Sequence, residues 1–305
     1  MNRFYCVVTF LLLLVFELSA QETPPIEIFS PKDYGAENQN WGVSQSKDKK
    51  IYIANNKGLL EYNGAAWKLY DSPNETIIRS VNVIDDTIYT GCYREFGYWK
   101  KNDFGSLDYT SLSQRLNISF LDDEEIWNII DVDEWVLFQS LKRIYIYNKR
   151  EGSYSIIDSK TTIYKIFKVN ESIYYQKTKD GIYKIENGKS TLVTNDNVVK
   201  ENLLVNMFYH LGQLMIETED NGFYFFDNDA LKKWEIPANN VISSVSVYRS
   251  IQLRDNSFIL GTIADGIFHL LPNGELDYQI NNFNGLSNNT VQSIYEDLEN
   301  NIWLG

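Results

Sequence analysis

Histidine, cysteine and clustered carboxylates are the side chains with which this sequence could perform acid–base, nucleophilic or metal chemistry. The only histidines, His210 and His269, stand 59 residues apart, and neither has a partner at zinc-ligand spacing. Cys92 has no histidine close in the sequence that would argue for a thiol nucleophile. No Gly-x-Ser-x-Gly elbow or phosphate-cradling glycine loop occurs. We therefore expect packed or surface histidines, no metal or other cofactor, and no catalytic residue.

Two acidic clusters keep an enzymatic alternative open. Asp122–Glu125 and Asp131–Glu134 contain paired carboxylates, which could serve as acid and base in glycoside hydrolysis. Both fall where loops or turns are expected, so solvated surface is the interpretation that we favour. Neither they nor Asp297, Glu299 and Asn301 have the ligands and the central glycine of a calcium loop.

Residues 1–20 have the pattern of a secretory signal peptide. A basic head containing Arg3 precedes an apolar run from Phe4 to Phe16, which is too short to cross a bilayer. Ala20 offers a small residue for cleavage, although the large Leu18 leaves an uncleaved anchor as an alternative. We expect an exported protein, periplasmic or extracellular.

Composition predicts a single acidic, all-β domain over residues 21–305. Aromatic residues make up 14% of the chain, there are six prolines, and long runs of good helix formers are missing. Lysine and arginine total 28 against 41 aspartates and glutamates, and a net charge of -13 repels nucleic acid. Signal cleavage would remove Cys6 and leave Cys92 alone, so packing rather than an intrachain disulfide must hold the fold.

Two marks repeat along this domain at intervals of about forty residues. The first is a turn before an apolar-aromatic strand, at Gly58, Gly97, Arg143, Gly181, Gly222 and Gly266, in steps of 39, 46, 38, 41 and 44 residues. The second is a strand, a polar turn and another strand, which recurs seven times: 41–54, 78–91, 126–139, 163–176, 204–217, 247–261 and 291–305. A period of this length is typical of stacked small sheets.

The repeat predicts a β-propeller of about seven four-stranded blades, the last one incomplete. The predicted units are 26–73, 74–121, 122–160, 161–200, 201–240, 241–286 and the partial unit 287–305. We expect the glycine at the second turn to adopt a positive φ, and a different turn at Arg143.

The ends of the chain allow two ways of completing the last blade. Ile26–Phe29 stands where an outer strand is expected, and the chain stops at Gly305, two strands into its seventh unit. The early strand could complete that unit, or it could belong to a blade beyond the given sequence. We favour a fragment of a longer protein.

Segments near both ends carry a resemblance to a known family. The segment 284–297, NGLSNNTVQSIYED, followed by NIWLG at 301–305, resembles the repeat of two-component regulator propellers. The opening, 33–42 (DYGAENQNWG) through 55–67 (NNKGLLEYNGAAW), is similar to the start of the same sensors. The resemblance covers the mature chain, strongly at both ends and weakly in the middle.

This resemblance implies an exported sensor that controls transcription across the membrane, commonly in response to a polysaccharide fragment. In that family the propeller precedes a triple-tyrosine domain, a membrane helix and a kinase or LuxR-type output, so any kinase activity would lie outside this chain. It also leads us to expect self-association through the propeller in the full-length protein. The alternatives are a secreted carbohydrate-active enzyme and a scaffolding propeller.

The tryptophans support two interpretations, because they could stack on sugar rings or fill gaps between blades. We favour the core for Trp41, Trp127 and Trp303, which fall in the repeating strands. The remaining tryptophans are Trp67, Trp99, Trp135 and Trp234. The sequence alone assigns no ligand-binding residue.

Overall fold

The computed structural model describes residues 24–227 and 230–305. The predicted signal peptide at residues 1–20 lies outside these ranges. The described chain folds into seven antiparallel sheets, six with four strands and one with two. Among the described residues, none of the helices has the length and apolar character needed to span a bilayer.

Strands alternate with tight turns, and every four-stranded sheet is built from strands consecutive in the chain. The first three sheets comprise β1 (Asn40–Gln45), β2 (Ile51–Asn55), β3 (Gly58–Tyr62), β4 (Trp67–Asp71); β5 (Ser80–Ile84), β6 (Thr87–Cys92), β7 (Glu95–Lys101), β8 (Leu107–Ser111); and β9 (Asn128–Val132), β10 (Trp135–Gln139), β11 (Arg143–Asn148), β12 (Tyr154–Asp158). The next three comprise β13 (Ile163–Val169), β14 (Ser172–Lys177), β15 (Gly181–Glu186), β16 (Lys189–Thr194); β17 (Leu204–His210), β18 (Gln213–Thr218), β19 (Gly222–Asp227), β20 (Ala230–Lys233); and β21 (Val247–Gln252), β22 (Phe258–Thr262), β23 (Ile267–Leu270), β24 (Leu276–Ile280). The seventh contains β25 (Ile294–Glu296) and β26 (Ile302–Leu304).

In the part of the chain that the structure describes, four short helices connect or flank these sheets. They are α1 (Pro31–Tyr34), α2 (Leu112–Arg115), α3 (Asn197–Glu201) and α4 (Asn239–Ile242). Each is about one turn long, so the domain is all-β, as the composition predicts.

The sheets form a closed ring. The first strands of successive sheets contact one another in the order β1, β5, β9, β13, β17 and β21, and β25 contacts both β21 and β1. Seven buried hydrophobic clusters fill the seven spaces between neighbouring sheets. One of them joins Tyr52 and Leu59 of the first sheet to Ile88 and Trp99 of the second. Each sheet therefore buries its two faces on its neighbours, which is the packing of a propeller.

The prediction of about seven four-stranded blades, the last one incomplete, is corrected to six four-stranded blades with a small seventh sheet of two strands. The expected outer strand at Ile26–Phe29 is also absent, since these residues pair with no strand. Prolines at positions 24, 25 and 31 surround the segment, and proline lacks the N–H that a strand ladder needs. The segment packs through side chains instead, and the Phe29 ring stacks on Trp303 at a centroid distance of 6.0 Å.

Three of the five glycines at the second turn are required for a reason other than the predicted positive φ. Gly222 and Gly266 do have positive φ angles, of 74° and 76°, but Gly58, Gly97 and Gly181 are not among the positive-φ residues. A Cβ at each of these three would lie 2.1 to 2.4 Å from a carbonyl oxygen of the outer strand. These glycines therefore allow close approach of two strands.

Arg143 replaces the glycine in the third sheet, and the turn there is different, as expected. The Ser140 hydroxyl accepts a hydrogen bond from the Arg143 amide at 3.0 Å. The Arg143 guanidinium then extends to the outer strand and pairs with Asp158 at 2.6 Å.

The fully buried Asn55 joins the first sheet to the segment that precedes it. Its amide donates to the carbonyl oxygens of Glu37 at 2.6 Å and Gln39 at 3.1 Å, and its oxygen accepts from the Lys57 amide at 2.9 Å. We expect Asn55→Ala to lower the free energy of unfolding by about 2–3 kcal/mol, because buried backbone groups lose their partners.

Urea unfolding measures this loss. The matched control is Asn63→Ala in the same sheet, where an exposed asparagine also accepts from backbone amides, at 2.8 and 3.0 Å, that water can solvate in its absence. A loss at Asn55 no larger than that at Asn63 would contradict the structural role assigned to Asn55.

Candidate functional site

Both histidines are packed: His210 lies between the fifth and sixth sheets, and His269 lies within the sixth sheet. The His210 ring hydrogen-bonds the Pro272 carbonyl oxygen at 2.9 Å and the Gln252 amide at 3.0 Å, and burial lowers its pKa. His269 bridges Asp277 at 2.8 Å and the Ser257 hydroxyl at 2.9 Å. The two imidazoles therefore have structural partners.

Cys92 is buried, and burial raises the pKa of its thiol to about 12. A thiol with so high a pKa is protonated at neutral pH, and a protonated thiol is a poor nucleophile. The structure thus gives Cys92 the environment of a core residue.

The first acidic cluster is only partly solvated surface, which corrects the interpretation from sequence. Glu124 is buried and accepts hydrogen bonds from the Leu121 amide at 2.8 Å, the Ser140 hydroxyl at 2.6 Å and the Tyr145 hydroxyl at 2.8 Å. A carboxylate that accepts several hydrogen bonds can be buried at tolerable cost, and this requirement cannot be seen in a run of acidic residues.

The first strand of each sheet is its inner strand and lines the central channel of the ring. At the end of the channel where these inner strands begin, each sheet contributes one residue at an equivalent position. Four inner strands have a β-bulge there, and the bulged residues include Trp41, Tyr164, Val205 and Tyr248. The equivalent positions in the other three sheets lie one or two residues before the paired part of the inner strand. We call the seven residues the mouth ring: Trp41, Arg79, Trp127, Tyr164, Val205, Tyr248 and Gln292.

Three side chains of the mouth ring, those of Trp41, Arg79 and Trp127, lie together at the channel mouth, whereas the Val205 side chain packs in the core between the fifth and sixth sheets. Trp41 and Trp127 belong to the first and third sheets, which are not neighbours, yet their ring centroids are 6.2 Å apart. Burial raises the pKa of Tyr164, and the charges of Glu219 and Tyr248 add to that rise. The mouth ring therefore places aromatic side chains together across the ring.

Arg79 lies between the two tryptophans. Its guanidinium carbon is 4.3 Å from the Trp41 ring centroid and 4.9 Å from that of Trp127, and its Nε donates to Glu125 at 2.5 Å. The Trp41 indole N–H in turn donates to Asn56 at 2.7 Å. Cation–π contacts and the ion pair hold the three side chains in fixed orientation, each of them half-buried.

Five side chains, each one residue after a mouth-ring position, form a belt that supports the mouth ring. Each of them donates a hydrogen bond to a backbone carbonyl oxygen in or just before the inner strand of the next sheet. The bonds run from Ser80 to Ile126 (2.9 Å), Lys165 to Val205 (2.6 Å), Asn206 to Ser250 (2.7 Å), Arg249 to Gln292 (3.0 Å) and Ser293 to Asn40 (2.9 Å). The last bond closes the ring between the seventh sheet and the first.

Glu217 lies behind this belt and is fully buried. The Ser250 hydroxyl donates to one of its carboxyl oxygens, and the other oxygen has no partner among the described residues. Burial raises the pKa of Glu217 to about 8, against the opposing effects of Ser250 and Lys165. Burial likewise holds the pKa of Lys165 well below its usual value, with Arg249 adding to the effect.

The mouth ring has the composition of a binding site for a small, partly polar molecule. Flat aromatic faces can stack on a sugar ring or another planar group, and a guanidinium beside them can hydrogen-bond its substituents. Sequence reasoning assigned Trp41 and Trp127 to the core and did not single out Arg79. Their shared position at the start of an inner strand is the signal that could have identified them.

Comparisons with known proteins show the fold. No family model matches the chain, and no curated protein matches it. Among solved structures, the extracellular domain of the putative hybrid two-component system BT4673 from B. thetaiotaomicron superposes with a TM-score of 0.65 at 20% identity, over 87% of this chain and 36% of that one. The corresponding domain of BT3049 from the same organism gives a TM-score of 0.69 at 15% identity, over 92% of this chain and 40% of that one.

An otherwise different protein has a similar fold. The WD40 propeller domain of Doa1 superposes with a TM-score of 0.66 at 13% identity, over 88% of this chain and 90% of that one. The chain spans less than half the length of the two B. thetaiotaomicron domains. At these identities the comparisons establish a β-propeller, and the fold is shared by proteins with different roles.

Proposed function

We propose that this chain is the ligand-sensing propeller of an exported, membrane-linked signal-transduction regulator that controls transcription. The mouth ring carries the proposal, because it brings Trp41, Arg79 and Trp127 from three sheets to one end of the channel. The ligand is a saccharide or a similar external molecule, bound without turnover. The regulator's output domains lie outside this chain, and the full-length protein self-associates through the propeller.

Three further observations support this role. The B. thetaiotaomicron neighbours are extracellular domains of putative two-component systems, and the segments that resemble sensor propellers lie at both ends of the described chain. The N-terminal signal pattern agrees with export to the periplasm or the cell surface.

A panel of oligosaccharides tests the proposal by thermal unfolding. Xylo-, manno-, cello- and galacturono-oligosaccharides are added to the protein, and we expect at least one to raise the Tm, because a ligand at 100 times its Kd stabilises the folded state by about 2.7 kcal/mol. Arg79→Met keeps an aliphatic stem between the tryptophans but removes the cation, so the affinity should fall about tenfold.

Arg143→Met is the matched control, since Arg143 is also a half-buried arginine paired with a carboxylate, but at the outer edge of a sheet. Product analysis on the same panel separates the alternatives. Turnover would favour a carbohydrate-active enzyme, and no stabilisation by any sugar would favour a scaffolding propeller. Equal loss of binding in both variants would contradict the assignment of the mouth ring.

A further inference from the structure

A second concave surface lies between the second and third sheets, at the opposite end of the channel from the mouth ring. Arg79 precedes β5, whereas this cleft is lined by Ile84 and Asp85, where β5 ends. The cleft has a volume of about 470 Å³. Small-molecule sites in proteins commonly occupy about 300–1,000 Å³, so the cleft is large enough for a ligand of one or two rings.

The charge of the cleft is opposite to that of the protein. Four cations line it, Lys100, Arg115, Lys149 and Arg150, against the carboxylates of Asp85 and Glu151. The whole chain, by contrast, has a net charge of -13. A local excess of positive charge on an acidic protein attracts anions to that place and repels them elsewhere.

Most of these cations are available to a ligand. Lys149 pairs with Asp85 at 3.1 Å. Within residues 24–227 and 230–305, no ion pair involves Lys100, Arg115 or Arg150. The two arginines are exposed, and each offers a planar fork that suits a carboxylate or a sulfate.

Three tyrosines form the wall of the cleft. Tyr89 and Tyr147 are buried except near the cleft, and Tyr98 is half-buried. The ring centroids of Tyr89 and Tyr98 are 5.9 Å apart, and Tyr147 and Arg115 line the same cleft. Burial raises the pKa of Tyr147, and the positive charge of Arg115 opposes that rise. In the described ranges their hydroxyls have no hydrogen-bond partner and are not enclosed, so they can donate to a ligand.

We propose that this cleft binds an anionic saccharide, one that carries a carboxylate or a sulfate. The arginines hold the anionic group, and the tyrosines contact the sugar ring and donate to its hydroxyls. A simple inorganic anion would use the cations alone and leave the tyrosine wall in contact with water. This site is separate from the mouth ring, so it gives the sensor a second ligand subsite. Binding of the saccharide to the cleft does not depend on the proposed sensor role, but the biological purpose of that binding does.

Isothermal titration with three probes tests the site. The probes are a chondroitin sulfate disaccharide, which carries both anionic groups, the neutral disaccharide N-acetyllactosamine, and sodium sulfate. We expect the chondroitin disaccharide to bind more tightly than the other two, and its affinity to fall as salt concentration rises. Arg115→Gln/Arg150→Gln should weaken this binding by about tenfold or more, since each arginine supplies a charge-assisted hydrogen bond.

The control is Lys189→Gln/Lys232→Gln, which removes two positive charges from exposed positions outside the cleft. Equal weakening in the control would mean that net charge alone attracts the disaccharide, and it would overturn the site. Sulfate binding as tightly as the disaccharide, or no binding at all, would also overturn it. Loss of the disaccharide in Arg79→Met but not in the cleft variant would place it at the mouth ring, which leaves the sensor proposal standing and refutes the cleft.

Discussion

Replacing Glu217 with glutamine is expected to make the protein more stable than the wild type at pH 9 while changing its stability little at pH 5. Burial raises the folded-state pKa of this carboxyl from 4.5 to about 8. Its contribution to stability is therefore fully present below pH 4.5, where both folded and unfolded states are protonated, and is lost as pH rises through 8. A shift of this size corresponds to a free energy on the order of 5 kcal/mol, and glutamine cannot titrate in this range.

Urea unfolding of the wild type and of Glu217→Gln between pH 5 and pH 9.5 measures the difference in their free energies of unfolding, which isolates the contribution of Glu217. Lys165 is also buried, and its lowered pKa acts in the opposite direction, so the wild-type curve alone mixes the two groups. The control is Glu124→Gln, because Glu124 accepts three hydrogen bonds and an amide NH₂ cannot replace an accepting oxygen. That variant should be less stable at both ends of the pH range. A constant difference between wild type and Glu217→Gln would contradict the assigned titration.

Gly266→Ala is expected to destabilise the protein far more than Gly222→Ala, although both glycines occupy the same turn of neighbouring sheets. Their φ angles are 76° and 74°, so alanine is strained to the same extent at both, by about 1–2 kcal/mol. At Gly266 a Cβ would also lie 2.1 Å from the Ile280 carbonyl oxygen, whereas at Gly222 the nearest atom is 3.9 Å away. The collision should add about 1–3 kcal/mol, or unfold the sixth sheet.

Thermal and urea unfolding of the two variants measure this difference, and a third variant separates the causes. Gly58→Ala carries the collision without a positive φ, since its Cβ would lie 2.1 Å from the Tyr70 carbonyl oxygen. We expect the stability loss of Gly58→Ala to be larger than that of Gly222→Ala. Equal losses at Gly222 and Gly266 would show that φ strain alone explains the glycines.

The ring of sheets could be predicted from sequence because each blade repeats the same local pattern. Alternating apolar and polar residues around turns such as Asp85–Asp86 predict hairpins one by one, and all seven predicted hairpins form. The outer strand expected at Ile26–Phe29 does not form, because the segment is apolar enough for a strand but the flanking prolines lack the N–H that a ladder needs.

The candidate site could not be predicted in the same way, because it depends on contacts between sheets. Trp41 and Trp127 are 86 residues apart in sequence, and only closure of the ring brings them to opposite faces of Arg79. β-Bulges that place such residues at the channel mouth have no clear sequence pattern. The burial of Glu124 and Glu217 was missed for a related reason, since hydroxyl donors distant in sequence hydrogen-bond both carboxyls.

A crystal structure of the protein with its most stabilising oligosaccharide would locate the binding site. We expect seven sheets in a closed ring, with a sugar ring stacked against Trp41 or Trp127 and hydrogen-bonded to the Arg79 guanidinium. A saccharide bound away from the mouth ring and unaffected by Arg79→Met, or inner strands that do not close through β25, would contradict this expectation.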